Sequence, residues 1–191
     1  MGTIVVSEFV SLDGVMEDPG GAESYRHGGW SFTFDRSSEG DRFKMDELTA
    51  AEAMLLGRTT YEGFAAAWPS MEDPDGFAGK MNAMPKYVVS STLRSADWNN
   101  STILPGDPLE EITALKERVG GNILVGGSAR LVHLLAEHDL VDEYRLMVFP
   151  VLLGSGKRVF PDSDSESTTR LRLASSERAG DVQMLVLHRE R

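Results

Sequence analysis

The residues best suited to chemistry lie where apolar runs stop at glycine. Ile123-Leu124-Val125 leads into Gly126-Gly127-Ser128-Ala129-Arg130-Leu131. A glycine pair at the carboxyl end of a strand lets backbone approach a ligand closely, and the following helix start offers unpaired N–H groups and a positive dipole end to an anion such as a pyrophosphate. The motif is not the G-x-G-x-x-G fingerprint, and a tight turn without a ligand would look the same. A second apolar run, Met54-Leu55-Leu56, ends in Gly57-Arg58-Thr59-Thr60-Tyr61-Glu62, and a third, Tyr87-Val88-Val89, ends in Ser90-Ser91-Thr92. Singly, Arg58 reads as a surface charge, Thr59 or Thr60 as a helix cap, and Ser90 to Thr92 as a turn. Three such groups at the same kind of position point to a nucleotide cofactor, because ligands of open α/β sheets collect at the carboxyl ends of strands.

Other chemistries are excluded. Gly154-Ser155-Gly156-Lys157 lacks the first glycine of a phosphate loop, whose place is taken by Val151, and has Arg158 in the Ser/Thr slot. His133 and His138 are five apart and do not share a helix face, and the chain has no cysteine, so no metal site is expected. His133 reads as a partly buried helix residue and His27 as exposed in a glycine-rich loop. No Ser-His-Asp or Cys-His set has supporting context. A net charge of −11 argues against nucleic acid and anionic membranes as partners. In so acidic a chain a dinucleotide needs local positive charge, for which Arg58 and Arg130 are best placed.

These groups must be carried by regular elements. The 191 residues suit a single domain, 1–191, and 41% hydrophobic with 26% charged residues is ordinary for a globular chain. The first residues lack the basic and apolar regions of a signal peptide and no apolar run reaches membrane-spanning length, so a cytoplasmic protein is expected. Strands are predicted at 3–9, 53–56, 87–90, 102–104, 122–125 and 143–149, and helices at 38–48, 60–67, 109–119 (capped by Asp107-Pro108) and 129–137. A hairpin is predicted from 169–174 and 182–189, turning near Ala179-Gly180-Asp181. Residues 70–85 and the acidic, serine-rich stretch 162–167 read as loops. The fold class is therefore α/β, a mostly parallel central sheet with flanking helices and a C-terminal antiparallel hairpin.

Five motifs in order carry a resemblance: Ser11-Leu12-Asp13-Gly14, Gly57 to Glu62, Met84-Pro85-Lys86-Tyr87-Val88-Val89-Ser90, Gly126-Gly127, and Pro150-Val151-Leu152-Leu153-Gly154-Ser155-Gly156-Lys157-Arg158-Val159-Phe160. Together they resemble the dihydrofolate-reductase-like superfamily, nearest the stand-alone relatives of the riboflavin-biosynthesis reductase domain (RibD C-terminal type). The resemblance implies an NADPH-dependent reductase, with hydride passing to a C=N or C=O carbon of a pteridine- or ribosylaminopyrimidine-like substrate. A true dihydrofolate reductase and a nucleotide-binding protein without catalysis remain alternatives. The zinc deaminase that accompanies many riboflavin reductases has no counterpart here, because its H-x-E and P-C-x-x-C signature is absent.

The resemblance also implies roles. Gly126 and Gly127 face the pyrophosphate, with Ser128, Ala129, Arg130 and Leu131 supplying helix N-terminal donors. Gly57, Arg58, Thr59 and Thr60 grip the adenosine side, Arg58 favouring a 2′-phosphate and hence NADPH. Ser90 and Ser91 lie beside the adenine ribose. The loop holding Asp13 and Gly14 closes over nicotinamide, and backbone near Phe9 touches the carboxamide. Folate reductases carry a carboxylate five residues after a tryptophan; here that pair is Trp30 and Asp35. Asp35 is thus the candidate acid or, alternatively, a cap for the next helix, since riboflavin-type reductases work without that group. Trp30, Phe34 and Gly154 are the candidate substrate contacts, with the glycine-rich stretch 19–29 as a lid. Similar proteins often pair, so a homodimer through the C-terminal strands is expected. Glu8 has no counterpart in the family pattern.

Overall fold

The structure is a computed structural model that describes residues 1–161 and 168–190. Within them eight strands build one sheet: β1 (Thr3–Ser11), β2 (Ala51–Gly57), β3 (Lys86–Val89), β4 (Ser101–Leu104), β5 (Asn122–Val125), β6 (Glu143–Phe149), β7 (Leu171–Ala179) and β8 (Val182–Arg189). Their order is β4-β3-β2-β5-β1-β6-β8-β7. Every pair from β4 to β6 is parallel, and β8 and β7 add antiparallel strands beyond β6.

Alternation along the strands decides what each face meets. On β1, Ile4, Val6 and Val10 point to the face covered by α4 (Pro108–Arg118) and α5 (Ala129–Glu137), where Ile112, Leu115, Leu131 and Leu135 complete a core. Val5, with Met54, Leu56 and Leu124, points to the other face. There α1 (Ser37–Ala50), α2 (Arg58–Ala67) and α3 (Phe77–Ala83) supply Leu48, Tyr61 and Met81. The expected cap of α4 is present, Asp107 accepting from the Leu109 and Glu110 amides at 3.0 and 3.1 Å.

Three expectations are corrected. The segment 70–85 is not all loop: it contains α3. Asp73 anchors that helix by accepting from the Phe77 and Ala78 amides at 2.8 and 2.6 Å. Its other end is held by the buried Lys86 ammonium, which donates to Met81 and Met84 carbonyls at 2.8 and 2.7 Å. Helix α1 runs past 48 to Ala50, and the hairpin is longer than predicted, with a register shift between Leu173 and Ser175. The acidic stretch at 162–167 lies outside the described residues.

One feature of the register positions the site. β5 is short and accompanies β1 only from Thr3 to Val6, whereas β6 accompanies β1 from Val5 to Ser11. From Ser7 onward no strand among the described residues lies on the β5 side of β1, and the sheet has a notch.

Candidate functional site

Two helix starts meet beside that notch. Gly57 at the end of β2 and Gly127 after β5 touch through a Gly57 N–H to Gly127 carbonyl bond of 3.2 Å. A Cβ on Gly127 would fall 2.7 Å from Thr60 Oγ1, and its φ of +97° is one that side-chain-bearing residues rarely adopt. The Gly127–Ser128 peptide is cis. Neither Gly57 nor Ser128 caps its helix with a side-chain hydrogen bond, so the first-turn amides of both α2 and α5 are left without side-chain caps. The structure thus gathers Gly57, Thr59, Thr60, Gly126, Gly127, Ser128, Ala129, Arg130 and Leu131 about one corner, where two dipole ends favour negative charge. Arg58 is exposed and pairs with Glu62 at 3.3 Å one turn on, and Arg130 is exposed as well.

Phe9 lies in the notch. The Thr3 amide donates to the Gly121 carbonyl on the β5 side. Main-chain groups change sides at each residue, so the Phe9 N–H and C=O also face the β5 side, past the end of β5. A planar carboxamide matches such a donor and acceptor pair.

Four residues that sequence reasoning left out line the same region. On the α1 face, Ser7 Oγ donates to Glu47 Oε2 at 2.7 Å, and Lys44 Nζ reaches both the Ser7 hydroxyl and Glu47 Oε2, the latter at 2.7 Å. Lys44 also sits 5.4 Å from the Phe9 ring centre. Glu8 is on the opposite face, 8% exposed, and its Oε1 has no hydrogen-bond partner among the described residues. Burial pushes its carboxyl up to about 8, with Lys44 and the Gly127 amide opposing and Glu47 assisting. The signal available in sequence was a Ser-Glu pair interrupting an apolar strand.

Asp13 and Gly14 sit in a loop tied to the segment 150–159. The Asp13 carboxylate accepts from Ser11 Oγ at 2.6 Å, Leu153 N at 3.2 Å and Gly154 N at 2.7 Å. These donors, the Ser11 hydroxyl foremost, hold it down at about 2. Asp13 and Gly154 are therefore brought together, with the Asp13 carboxylate occupied by loop amides. Val15 bridges Arg158, Glu17 pairs with Lys157 at 2.6 Å, and the Tyr25 hydroxyl bonds the Ser155 carbonyl. The stretch 19–29 is accordingly anchored, with Gly29 N donating to Asp18 O at 2.9 Å, rather than hanging as a free flap.

The aromatic candidates pack inward. Trp30 is 5% exposed, sets its ring edge-on to Phe149 at 5.3 Å and donates from Nε1 to the Glu17 carbonyl at 2.9 Å. Phe34 also meets Phe149, at 5.9 Å. Their faces serve the core between β6 and α1, which corrects the expectation of two free stacking surfaces. Asp35 is exposed; its Oδ1 accepts from Ser37 N at 2.7 Å at the start of α1, while its carbonyl accepts from the Asp181 amide in the β7–β8 turn at 2.7 Å. It serves the helix start and not the notch, although Arg36 formally occupies the cap. Ser90 turns its hydroxyl onto the Thr92 and Leu93 amides at 3.2 and 3.0 Å, and Ser91 is exposed beyond it.

A cleft of about 680 Å³ lined by Thr3, Glu143, Arg172 and His188 opens at the other end of the sheet, where β1 and β6 begin. It is remote from the strand ends that carry the glycine corner. Among the described residues no helix is long and apolar enough to cross a membrane.

Comparison with known proteins agrees with this architecture. The profile of the family described as RibD C-terminal domain matches residues 2–185. An uncharacterized Bacillus subtilis protein, YwjB, is 30% identical over 176 residues, covering 92% of this chain and 91% of the relative. Among solved structures, a Shewanella sp. PV-4 protein named for riboflavin biosynthesis superposes with a TM-score of 0.77 at 20% identity, with 99% of each chain covered. A dihydrofolate reductase from Enterococcus faecalis, complexed with NADP(H) and RAB-propyl, superposes with a TM-score of 0.58 at 15% identity, covering 99% of this chain and 97% of that one. The fold is dihydrofolate-reductase-like, as the five motifs implied.

Proposed function

The chain belongs to the RibD C-terminal domain family, and on that premise we propose that it is an NADPH-dependent reductase of a heterocyclic C=N or C=O bond. The observation that carries this reading is the meeting of two helix starts without side-chain caps at the Gly57–Gly127 contact, beside a notch with free main-chain groups at Phe9. The residues fit a dinucleotide. Gly126 and Gly127 leave room for a pyrophosphate, and the first-turn amides of α5 and α2 donate to its oxygens. Arg58, held among the described residues by an exposed pair with Glu62, can swing to a 2′-phosphate.

The bound cofactor supplies a hydride to the substrate. The protein's own part is to bind, orient and keep out water. Phe9 main chain holds the carboxamide, Asp13 keeps the 11–14 and 150–156 loops closed on each other, and Trp30, Phe34 and Phe149 fix the wall behind them. Arg36 and Lys44, 5.5 and 5.4 Å from the Phe9 ring, are held there by ion pairs with Asp41 and Glu47 and fix that ring in place. The protein acts as a homodimer in this reading, since β7 is an edge strand with Leu173 55% exposed. Light scattering that returns a monomer would remove the dimer.

Calorimetric titration tests the reading directly. NADPH is expected to bind at least tenfold more tightly than NADH, and consumption of NADPH absorbance is expected with a pteridine or ribosylaminopyrimidine acceptor. No binding of either nucleotide would overturn it.

A further inference from the structure

Glu8 is a buried carboxyl that the binding scheme leaves unused. It lies on β1 between Ser7 and Phe9, at the point where β5 has ended. Its register partner on β6 is the apolar Leu146, and strand alternation puts it on the face of Val6 and Val10, toward α5. A buried carboxyl there is costly, and an oxygen without a partner adds to that cost. Among the described residues one other buried carboxyl, Glu47, also has an unpartnered oxygen, but its second oxygen is held by Lys44 and Ser7. Among the described residues no salt bridge holds Glu8, and its Oε1 is enclosed and without a partner.

We propose, resting on the reductase reading above, that Glu8 is the acid of the reaction: its carboxyl gives a proton to the nitrogen or oxygen of the substrate's double bond while the adjacent carbon receives the hydride. The balance closes. The carbon gains a C–H bond with the hydride's electron pair, the π bond breaks, and its electrons on the heteroatom form an N–H or O–H bond with the Glu8 proton. The substrate is reduced, the nicotinamide is oxidised, and the Glu8 carboxylate recovers a proton from water.

The surroundings suit this role. The groups that act on Glu8 are Lys44 and Glu47 from α1, Glu23 from the 19–29 loop and the Gly127 amide after β5. Burial outweighs the two that favour charge, so the carboxyl is mostly protonated at pH 7. An oxidised nicotinamide ring carries positive charge and a reduced one does not. The carboxylate is therefore favoured beside NADP⁺ and the neutral acid beside NADPH.

That difference gives a test apart from turnover. Calorimetry at pH 7.5 in two buffers of different ionisation enthalpy counts protons released on binding. Wild-type protein is expected to release more protons with NADP⁺ than with NADPH, and Glu8→Gln to abolish the difference while binding both nucleotides. The same variant is expected to lose about 10²–10⁴-fold in kcat. Equal proton release with the two nucleotides, or an undiminished kcat in Glu8→Gln, overturns the assignment and leaves the cofactor reading intact. Failure of wild-type protein to bind either nucleotide overturns the cofactor reading and the acid with it. If Glu8→Gln does not fold, the wild-type proton count decides alone.

Discussion

A methyl group placed on Gly57 would fall 2.2 Å from Ser128 Oγ and 3.0 Å from Ser128 Cβ, although the two residues are far apart in sequence. The carboxyl end of β2 and the start of α5 are therefore in backbone contact, and any side chain at 57 must push them apart. The consequence is both structural and functional, because the first-turn amides of α2 and α5 converge only while that contact holds.

Gly57→Ala is expected to destabilise the fold by about 1–3 kcal/mol, the usual cost of overpacking. It should weaken NADPH binding more than tenfold. Denaturant melts and calorimetry together check this, and an alanine variant that binds like wild type would mean that the corner is only a turn.

Arg58→Ala separates charge recognition from stability. Its pair with Glu62 is about half exposed on both sides and lies at i,i+4, so its loss should change stability by less than about 0.5 kcal/mol. Affinity for NADPH should fall about tenfold or more while that for NADH stays within about twofold, as expected when a charge-assisted contact to the 2′-phosphate is removed. A parallel fall for both nucleotides would place Arg58 elsewhere.

Acid should loosen the loops through Asp13. Its folded-state value of about 2 lies below the ordinary 3.8, the Ser11 hydroxyl and the Gly154 and Leu153 amides favouring the charged form. The carboxylate's contribution is then full above the unfolded value and disappears as pH falls through the folded one. Melting temperature should drop on acidification through that window in wild type and less steeply in Asp13→Asn. Identical slopes would show that the staple contributes nothing.

Asp35→Asn should leave turnover unchanged, because an amide oxygen can still accept from the Ser37 amide at the start of α1. Asp35→Ala should lose about 0.5–2 kcal/mol of stability with kcat unaffected. A collapse of kcat in the asparagine variant at unchanged melting temperature would restore Asp35 as the acid.

The sequence by itself determined the elements whose signals are local. β5 at Asn122–Val125, α5 at Ala129–Glu137 and β6 at Glu143–Phe149 fall where they were expected, since each is an apolar run with a glycine or polar stop beside it. The same local signals marked the glycine corner, because a backbone that must approach a ligand or another backbone selects glycine whatever the partner. Tertiary structure alone decided where side chains with distant partners ended up. Helix α3 was hidden because its anchors come from Asp73, before it, and from Lys86 on β3, neither of which follows helical spacing. Trp30 and Phe34 became core because Phe149 stands between them, more than a hundred residues along the chain. Ser7 meets Lys44 and Glu47 only after β1 and α1 pack, and Glu8 meets the Gly127 amide only because β5 stops five residues short of the end of β6's pairing with β1. Burial and charge at such positions are set by what the fold brings alongside, and no spacing within β1 records it.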